Sequence, residues 1–168
     1  MSKLGPTVRL CSGHPISDAQ FSMVQAFVNS HSREEISDRL RQHGIAPTHQ
    51  RIEIAHALFS RCEHMSADQI LAAVNTRHSE SSKATVYNTL RLFLEKKLIR
   101  EVIVDPNKVF YDPNTSPHHH FYNIESGELT DIPADNLVIA GLPTPPIGMR
   151  ADSIDVIVRI RPVTPAAA

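Results

Sequence analysis

Cysteine is scarce in this chain, since Cys11 and Cys62 are the only two in 168 residues and no Cys-x-x-Cys pair occurs. A disulfide-built scaffold and a zinc site made of cysteines are therefore not expected. Tryptophan is absent, and no apolar run is long enough to span a bilayer. The start of the chain shows no signal-peptide pattern. We therefore expect a soluble, cytoplasmic protein without a membrane partner.

Catalytic motifs are missing as well. No His-Glu-x-x-His pattern is present, which zinc hydrolases use to hold a metal and place a general base. No nucleophile elbow is present for Ser/His/Asp chemistry. These absences predict that the protein is not an enzyme.

Histidine, by contrast, is abundant, with ten residues, and His118, His119 and His120 are consecutive inside the chain. Phe121 and Tyr122 follow them and favour the opening of a β-strand. Alternate side chains of a strand face opposite ways, so His118 and His120 would share one face and His119 would lie on the other. Because imidazole is the commonest metal ligand, the tract predicts a binding site. The alternative is a solvated polar edge.

Charge is divided unevenly along the chain. Residues 31–111 carry 12 Lys/Arg against 10 Asp/Glu, whereas residues 112–158 carry one against seven. The contrast indicates two units with different partners. We predict an N-terminal extension with a short helix at residues 1–30 and two domains, at 31–112 and 113–168.

Local patterns predict an α+β fold. Capping residues and apolar stripes at helical spacing predict helices that start at Ser17, Ser32, Thr48, Ser66, and Ser81 or Ser82. The period then alternates over Leu98–Val104 and Lys108–Tyr111, which predicts a hairpin. Three helices followed by a hairpin are typical of a winged helix-turn-helix, whose third helix enters the major groove of DNA.

The helix predicted from Ser82 to about Lys97 has a polar face suited to nucleic acid. Short hydroxyl and amide groups reach phosphates or base edges, and arginine pairs with phosphate. An ordinary solvated helix face would have a similar composition. The residues predicted to contact double-stranded operator DNA are Arg51, Ser82, Lys83, Thr85, Tyr87, Asn88 and Arg91.

The second unit is predicted to contain strands at Phe121–Ile124, Leu129–Ile132 and Ile154–Ile160, with a short helix within Pro133–Leu142. Residues from Asp112 to Pro117 are predicted to be a linker. A unit of this size buries too little surface to be stable alone. Pairing with a second copy would solve this, so we expect a homodimer.

Several motifs, in order, resemble the ferric uptake regulator superfamily: Ile45–Arg51, Ser66–Ile70, Lys83–Leu90 and Pro117–Phe121. The triple histidine, the stretch Gly127–Pro133 and the tail Gly148–Arg161 resemble the iron response regulator branch of that superfamily. The resemblance covers about residues 31–161. It implies a dimeric winged-helix regulator of iron and haem genes that responds to iron through haem, a divalent metal, or both.

The resemblance also implies site residues. Its metal ligands fall on His64, His118, His120 and Asp131, and the upstream glutamate ligand aligns with Tyr111, next to which Asp112 could substitute. Iron, manganese or zinc would suit such donors. A site built from His64 on one unit and His118, His120 and Asp131 on the other would join the two units.

Haem is implied by the same branch. Its Cys-Pro haem signature is missing, because Cys11 is followed by Ser12. The candidates for haem ligation are therefore His118, His119 and His120. Two alternatives remain: a sibling sensor of zinc, manganese or peroxide, and a metal-binding or haem-binding protein without a DNA role.

Overall fold

A computed structural model describes residues 32–60, 64–77 and 81–163. The chain divides after Thr115 into two compact units, and the second begins at Ser116. In the described ranges no helix is both long and apolar enough to cross a membrane. Cys11, Cys62 and the helix predicted from Ser17 lie outside the described residues.

The first unit has the element order of a winged helix. Four helices precede an antiparallel hairpin: α1 (Arg33–Gln42), α2 (His49–Phe59), α3 (Ala67–Arg77), α4 (Lys83–Glu95), β1 (Arg100–Asp105) and β2 (Lys108–Asp112). The helices pack around a shared apolar core whose fully buried members include Leu40, Ile54, Leu58, Leu90 and Phe93. The predicted helical stripes thus become the inner faces of these helices.

The helix starts follow the predicted caps. Ser32 and Glu35 form a capping box, in which each side chain accepts a hydrogen bond from the other residue's backbone N–H. Thr48, Ser66 and Ser82 each accept a backbone N–H from the residue three positions later. A cap is a contact within one turn, so it can be read from adjacent letters of the sequence.

Helix α4 ends at Glu95, two residues before the predicted end. Lys97 adopts a left-handed backbone with φ of 54°, which an α-helix does not accommodate. Strand β1 begins at Arg100 rather than at the predicted Leu98, whose N–H donates to the Phe93 carbonyl at the end of α4. The α-helix and the strand are therefore separated by a tight connection.

Strand β2 extends to Asp112, so the prediction that this residue begins a linker is wrong. Asp112 is the Cα partner of Arg100 in the hairpin, and only 1% of it is exposed. Its neighbour Tyr111 forms an isolated bridge with Met65, which lies just before α3. Backbone pairing on two sides places Asp112 inside the unit.

The second unit is a three-stranded sheet with the order β4 (Leu129–Pro133), β3 (His118–Asn123), β5 (Ile157–Ile160). Strand β3 pairs antiparallel with β4 and parallel with β5. The three histidines lie in the central strand and all are buried. A solvated polar edge, the alternative considered for this tract, is therefore wrong.

The short helix predicted within Pro133–Leu142 is a 3-10 helix of three residues, Ala134–Asn136, which begins after Pro133, and residues 137–142 are not helical. The β-branched Val138 and Ile139 favour helix weakly, and Gly141 adopts a left-handed φ of 73°. The last strand is also shorter than predicted. The Val156 N–H donates to the His119 ring and its carbonyl accepts the His120 N–H at 3.0 Å, and the strand itself begins at Ile157.

Candidate functional site

Two buried imidazoles meet on one face of β3. The Nε2 atoms of His118 and His120 lie 3.0 Å apart, and the ring centroids are separated by 4.6 Å. The alternation of the strand brings the two side chains together, as predicted. Both residues are buried, with 4% and 0% of their surface exposed. They present two nitrogen donors to one small volume.

Asp131 brings a carboxylate to the same volume from the adjacent strand. It is the Cα partner of His120 in the β3–β4 ladder. Its Oδ1 atom lies 3.6 Å from His118 Nε2 and 3.8 Å from His120 Nε2. Two ligands of one tetrahedral zinc ion are separated by about 3.3 Å, given metal–nitrogen distances of about 2.0–2.1 Å. The three donors therefore match a divalent metal with only small side-chain movement.

The tautomer of His118 is set by its backbone surroundings. Its Nδ1 atom lies 2.8 Å from the Ser116 carbonyl oxygen. A carbonyl only accepts, so Nδ1 carries the proton and donates it. In the neutral ring the lone pair is then on Nε2, which faces His120. A hydrogen bond to a backbone carbonyl is the usual partner of a metal-bound histidine.

His119 is the one histidine of the tract that the structure does not bring into this group. Its ring lies on the opposite face of β3, and its Nδ1 atom accepts a hydrogen bond from the Val156 N–H at 3.4 Å. The ring thus links the central strand to the start of β5. Its observed role is structural.

A second pair of donors lies in the first unit. His64 Nε2 is 3.7 Å from Asp112 Oδ2, and the two side chains are 7% and 2% exposed. The backbone bridge between Met65 and Tyr111 brings them together, because in antiparallel pairing the next residues outward are also opposite one another. The pair offers one nitrogen and one carboxylate oxygen in a position shielded from water.

The carboxylate of Asp112 has further partners. Its Oδ1 atom accepts a hydrogen bond from the Asn114 N–H at 2.7 Å. Arg100 Nε lies 3.3 Å from Oδ2, the oxygen that faces His64. Arg100 was not identified from the sequence. The predicted hairpin could not pair it with Asp112, because this pairing depends on an irregularity in the register between Ile103 and Asp105.

Tyr111 lies at the position where the family resemblance implies a ligand glutamate. Its side chain is poorly suited to hold a metal. Burial, and next the charge of Glu101, raise the pKa of its phenol above the ordinary value. The phenol is therefore neutral at physiological pH. Adjacent residues of a strand point to opposite faces, and it is Asp112 whose carboxylate lies beside His64.

The seven predicted DNA-contacting residues divide into two groups. Lys83, Tyr87, Asn88 and Arg91 are exposed and form what we call the α4 face. Lys83 Nζ lies 3.0 Å from Asp68 Oδ1 and 5.4 Å from the Tyr87 ring centroid. The carboxylate of Asp68 is the main cause of a raised Lys83 pKa, so this amine is charged at physiological pH.

The remaining three residues make contacts within the protein. Ser82 Oγ accepts the Thr85 N–H at 3.1 Å and lies 2.9 Å from Thr85 Oγ1, so both hydroxyls belong to the start of α4. Arg51 Nη1 donates to the Ala46 carbonyl at 2.9 Å in the turn before α2. These contacts fix the ends of two helices. Asp68, the partner of Lys83, was not identified from sequence, and no local pattern marks it.

Comparison with known families gives a match over residues 42–140, to the ferric uptake regulator family. A peroxide-responsive repressor of Staphylococcus aureus strain Mu50 is 35% identical over 101 residues, which cover 60% of this chain and 68% of the relative. The corresponding repressor of strain USA300 is 34% identical over the same length and coverage.

Solved structures share the fold. A zinc-bound manganese uptake regulator superposes with a TM-score of 0.58 at 18% identity, covering 76% of this chain and 98% of the other. The ferric uptake regulator of Pseudomonas aeruginosa, determined with manganese, gives a TM-score of 0.58 at 20% identity with the same coverage. The predicted α+β fold is thereby confirmed.

Proposed function

Because the chain belongs to the ferric uptake regulator family of metal-responsive transcriptional regulators, we propose that it binds operator DNA as a homodimer and couples that binding to iron status. The observation that carries the proposal is the convergence of His118, His120 and Asp131 in the second unit. These three donor side chains are buried or half-buried, and the tautomer of His118 is already set by a backbone carbonyl. Such an arrangement is typical of a metal site.

Two sets of donors are proposed for the divalent metal, one within each unit. His64 and Asp112 supply one set, and His118, His120 and Asp131 supply the other. Imidazole and carboxylate donors suit Fe²⁺, Mn²⁺ and Zn²⁺. A bound metal supplies a positive charge that ties these ligands together.

Coupling to DNA follows from half-site geometry. A dimer reads two half-sites at a fixed spacing, so affinity depends on the angle between its two DNA-reading units. Metal binding that orders the proposed donors would, in this proposal, change that angle. In this proposal the α4 face enters the major groove, where Lys83 and Arg91 approach phosphates while Tyr87 and Asn88 approach base edges.

Haem is the finer part of the proposal. The resemblance to the iron response regulator branch supports haem at the tract formed by His118, His119 and His120. An imidazole that binds haem iron cannot also bind the regulatory metal. Haem at His118 or His120 would therefore remove a donor from the metal set and weaken operator binding. This arrangement would make the regulator respond to haem supply.

A sensor of another signal is the second candidate. The two curated relatives with 34–35% identity are peroxide-responsive repressors. A peroxide sensor of this family would use a metal site built from the same types of donor. A peroxide sensor would differ from the proposed iron-status regulator, because the iron-loaded protein would lose operator binding after treatment with peroxide.

The test is fluorescence anisotropy with a labelled iron-box operator duplex and a scrambled duplex, at a stated salt concentration. We expect metal-dependent preference for the operator and its loss on addition of haem. Loss on addition of peroxide, with no effect of haem, would instead support the second candidate. An operator affinity that is unchanged by metal, chelator, haem or peroxide would contradict the proposal.

A further inference from the structure

Arg100 and Asp112 form an ion pair at the base of the hairpin. Their Cα atoms are partners in the β1–β2 ladder, and Arg100 Nε lies 3.3 Å from Asp112 Oδ2. The arginine side chain is 21% exposed and the aspartate side chain 2%. The guanidinium thus reaches from the protein surface to a carboxylate that water hardly contacts.

The guanidinium approaches the same oxygen that faces the proposed metal ligand His64. Asp112 Oδ2 lies 3.7 Å from His64 Nε2, while the other oxygen of the carboxylate accepts the Asn114 N–H. A guanidinium has no lone pair to give to a metal and remains charged throughout the physiological pH range. Arg100 therefore cannot be a ligand itself and would affect the metal through Asp112.

We infer that Arg100 is a built-in counter-cation that lowers the affinity of Asp112 for a divalent metal while stabilising the metal-free protein. The inference rests on the proposed role of Asp112 as a metal ligand. A buried carboxylate without a counter-charge is costly, and Arg100 balances that charge when no metal is bound. A divalent ion that reaches Oδ2 has to share this oxygen with the guanidinium or displace it.

Both effects act in the same direction when the arginine is removed. The metal ion no longer meets a positive charge close to its ligand, so its binding strengthens. The metal-free protein loses the balancing charge, so its stability decreases more than that of the metal-bound form. Arg100 thus sets the metal concentration at which the regulator responds.

The test compares the wild-type protein with Arg100→Met, which removes the charge, and Arg100→Lys, which keeps it. Mn²⁺ affinity is measured by competition with a chelating indicator at pH 8, well above the ordinary pKa of aspartate. Melting temperatures are measured with and without Mn²⁺. The matched control is Arg41→Met, because Arg41 is exposed on α1 and its carboxylate partner is the exposed Asp38.

We expect Arg100→Met to bind Mn²⁺ about tenfold more tightly than the wild type. Its melting temperature should fall in the metal-free form and fall less in the Mn²⁺-bound form. Arg100→Lys and Arg41→Met should stay close to the wild-type affinity. The inference is overturned if Arg100→Met lowers the melting temperature equally in the metal-free and Mn²⁺-bound forms and leaves the Mn²⁺ affinity unchanged. Arg100 would then have only a structural role.

Asp112→Asn separates this failure from a failure of the proposed metal site. If Asp112→Asn weakens Mn²⁺ binding while Arg100→Met leaves it unchanged, the inference alone is wrong. If Asp112→Asn leaves Mn²⁺ affinity unchanged, Asp112 is not a ligand, and both the assignment of this ligand and the inference are overturned.

Discussion

His118 and His120 direct their Nε2 atoms at each other across 3.0 Å on one face of β3, while His119 between them bonds the backbone of Val156 on the other face. Three identical residues in succession therefore have two different roles. The difference comes from the two-residue repeat of a β-strand, and it can be tested by replacing the histidines one at a time.

Replacing His118 with alanine should weaken Mn²⁺ binding by about 100-fold, because it removes a proposed ligand whose tautomer is already set by Ser116. His119→Ala is the matched control from the same strand. It removes the hydrogen bond from Val156, so its melting temperature should fall while its Mn²⁺ affinity stays within a few-fold of the wild type. Competition with a chelating indicator measures the affinity. A larger loss of affinity in His119→Ala than in His118→Ala would contradict the assignment.

Replacing Asp131 with asparagine keeps the size of the side chain and removes its negative charge. Because its Oδ1 atom lies within 4 Å of both Nε2 atoms, at 3.6 and 3.8 Å, we expect Mn²⁺ affinity to fall by about tenfold or more. Asp135→Asn, at an exposed site in the 3-10 turn, is the control for net charge. Equal affinities for the two variants would show that Asp131 is not a ligand.

Replacing Asp68 with asparagine should strengthen operator binding by about threefold at low salt. The carboxylate lies 3.0 Å from Lys83 Nζ and competes with a DNA phosphate for this amine. The same substitution in a Lys83→Gln background should have little effect, because the competing amine is gone. Anisotropy titrations of the four proteins form a double-mutant cycle. An equal gain in both backgrounds would mean that Asp68 acts only as a general negative charge.

Replacing Arg33 with methionine should destabilise the first unit by about 1–3 kcal/mol. Arg33 makes two hydrogen bonds to Glu53, at 2.6 and 3.0 Å, and the glutamate side chain is only 4% exposed. Denaturant unfolding measures the loss. The control is Arg41→Met, whose pair with Asp38 is exposed on both sides and should contribute less than about 1 kcal/mol. Similar losses in both variants would contradict this account.

Features that depend on neighbouring residues could be predicted from the sequence. The caps at Ser32, Thr48, Ser66 and Ser82 are contacts within one helical turn, and the alternation of His118–His120 is a property of any strand. The burial of His118–His120 could not be deduced from the sequence, because it depends on which strands flank β3.

The errors and omissions depend on distant contacts or on weak local preferences. The helix expected after Pro133 stops at Asn136 because Val138 and Ile139 favour helix weakly and Gly141 takes a left-handed backbone. The ion pair of Lys83 with Asp68 joins two helices, so no local period indicates it. Arg100 and Asp112 meet only through the exact register of the hairpin, which shifts by an irregularity between Ile103 and Asp105.

The bridge between Met65 and Tyr111 has a mechanical consequence. The two residues exchange both backbone hydrogen bonds, at 2.9 and 3.4 Å, so the base of the hairpin is fastened to the turn that leads into α3. Asp112 is the last residue of β2 and follows this bridge directly. In the proposed complex, a displacement of the hairpin by DNA would therefore also displace Asp112. By thermodynamic reciprocity, a regulator whose metal favours the operator must also hold that metal more tightly while it sits on the operator. Chelators should strip the ion more readily from free protein than from the DNA-bound dimer.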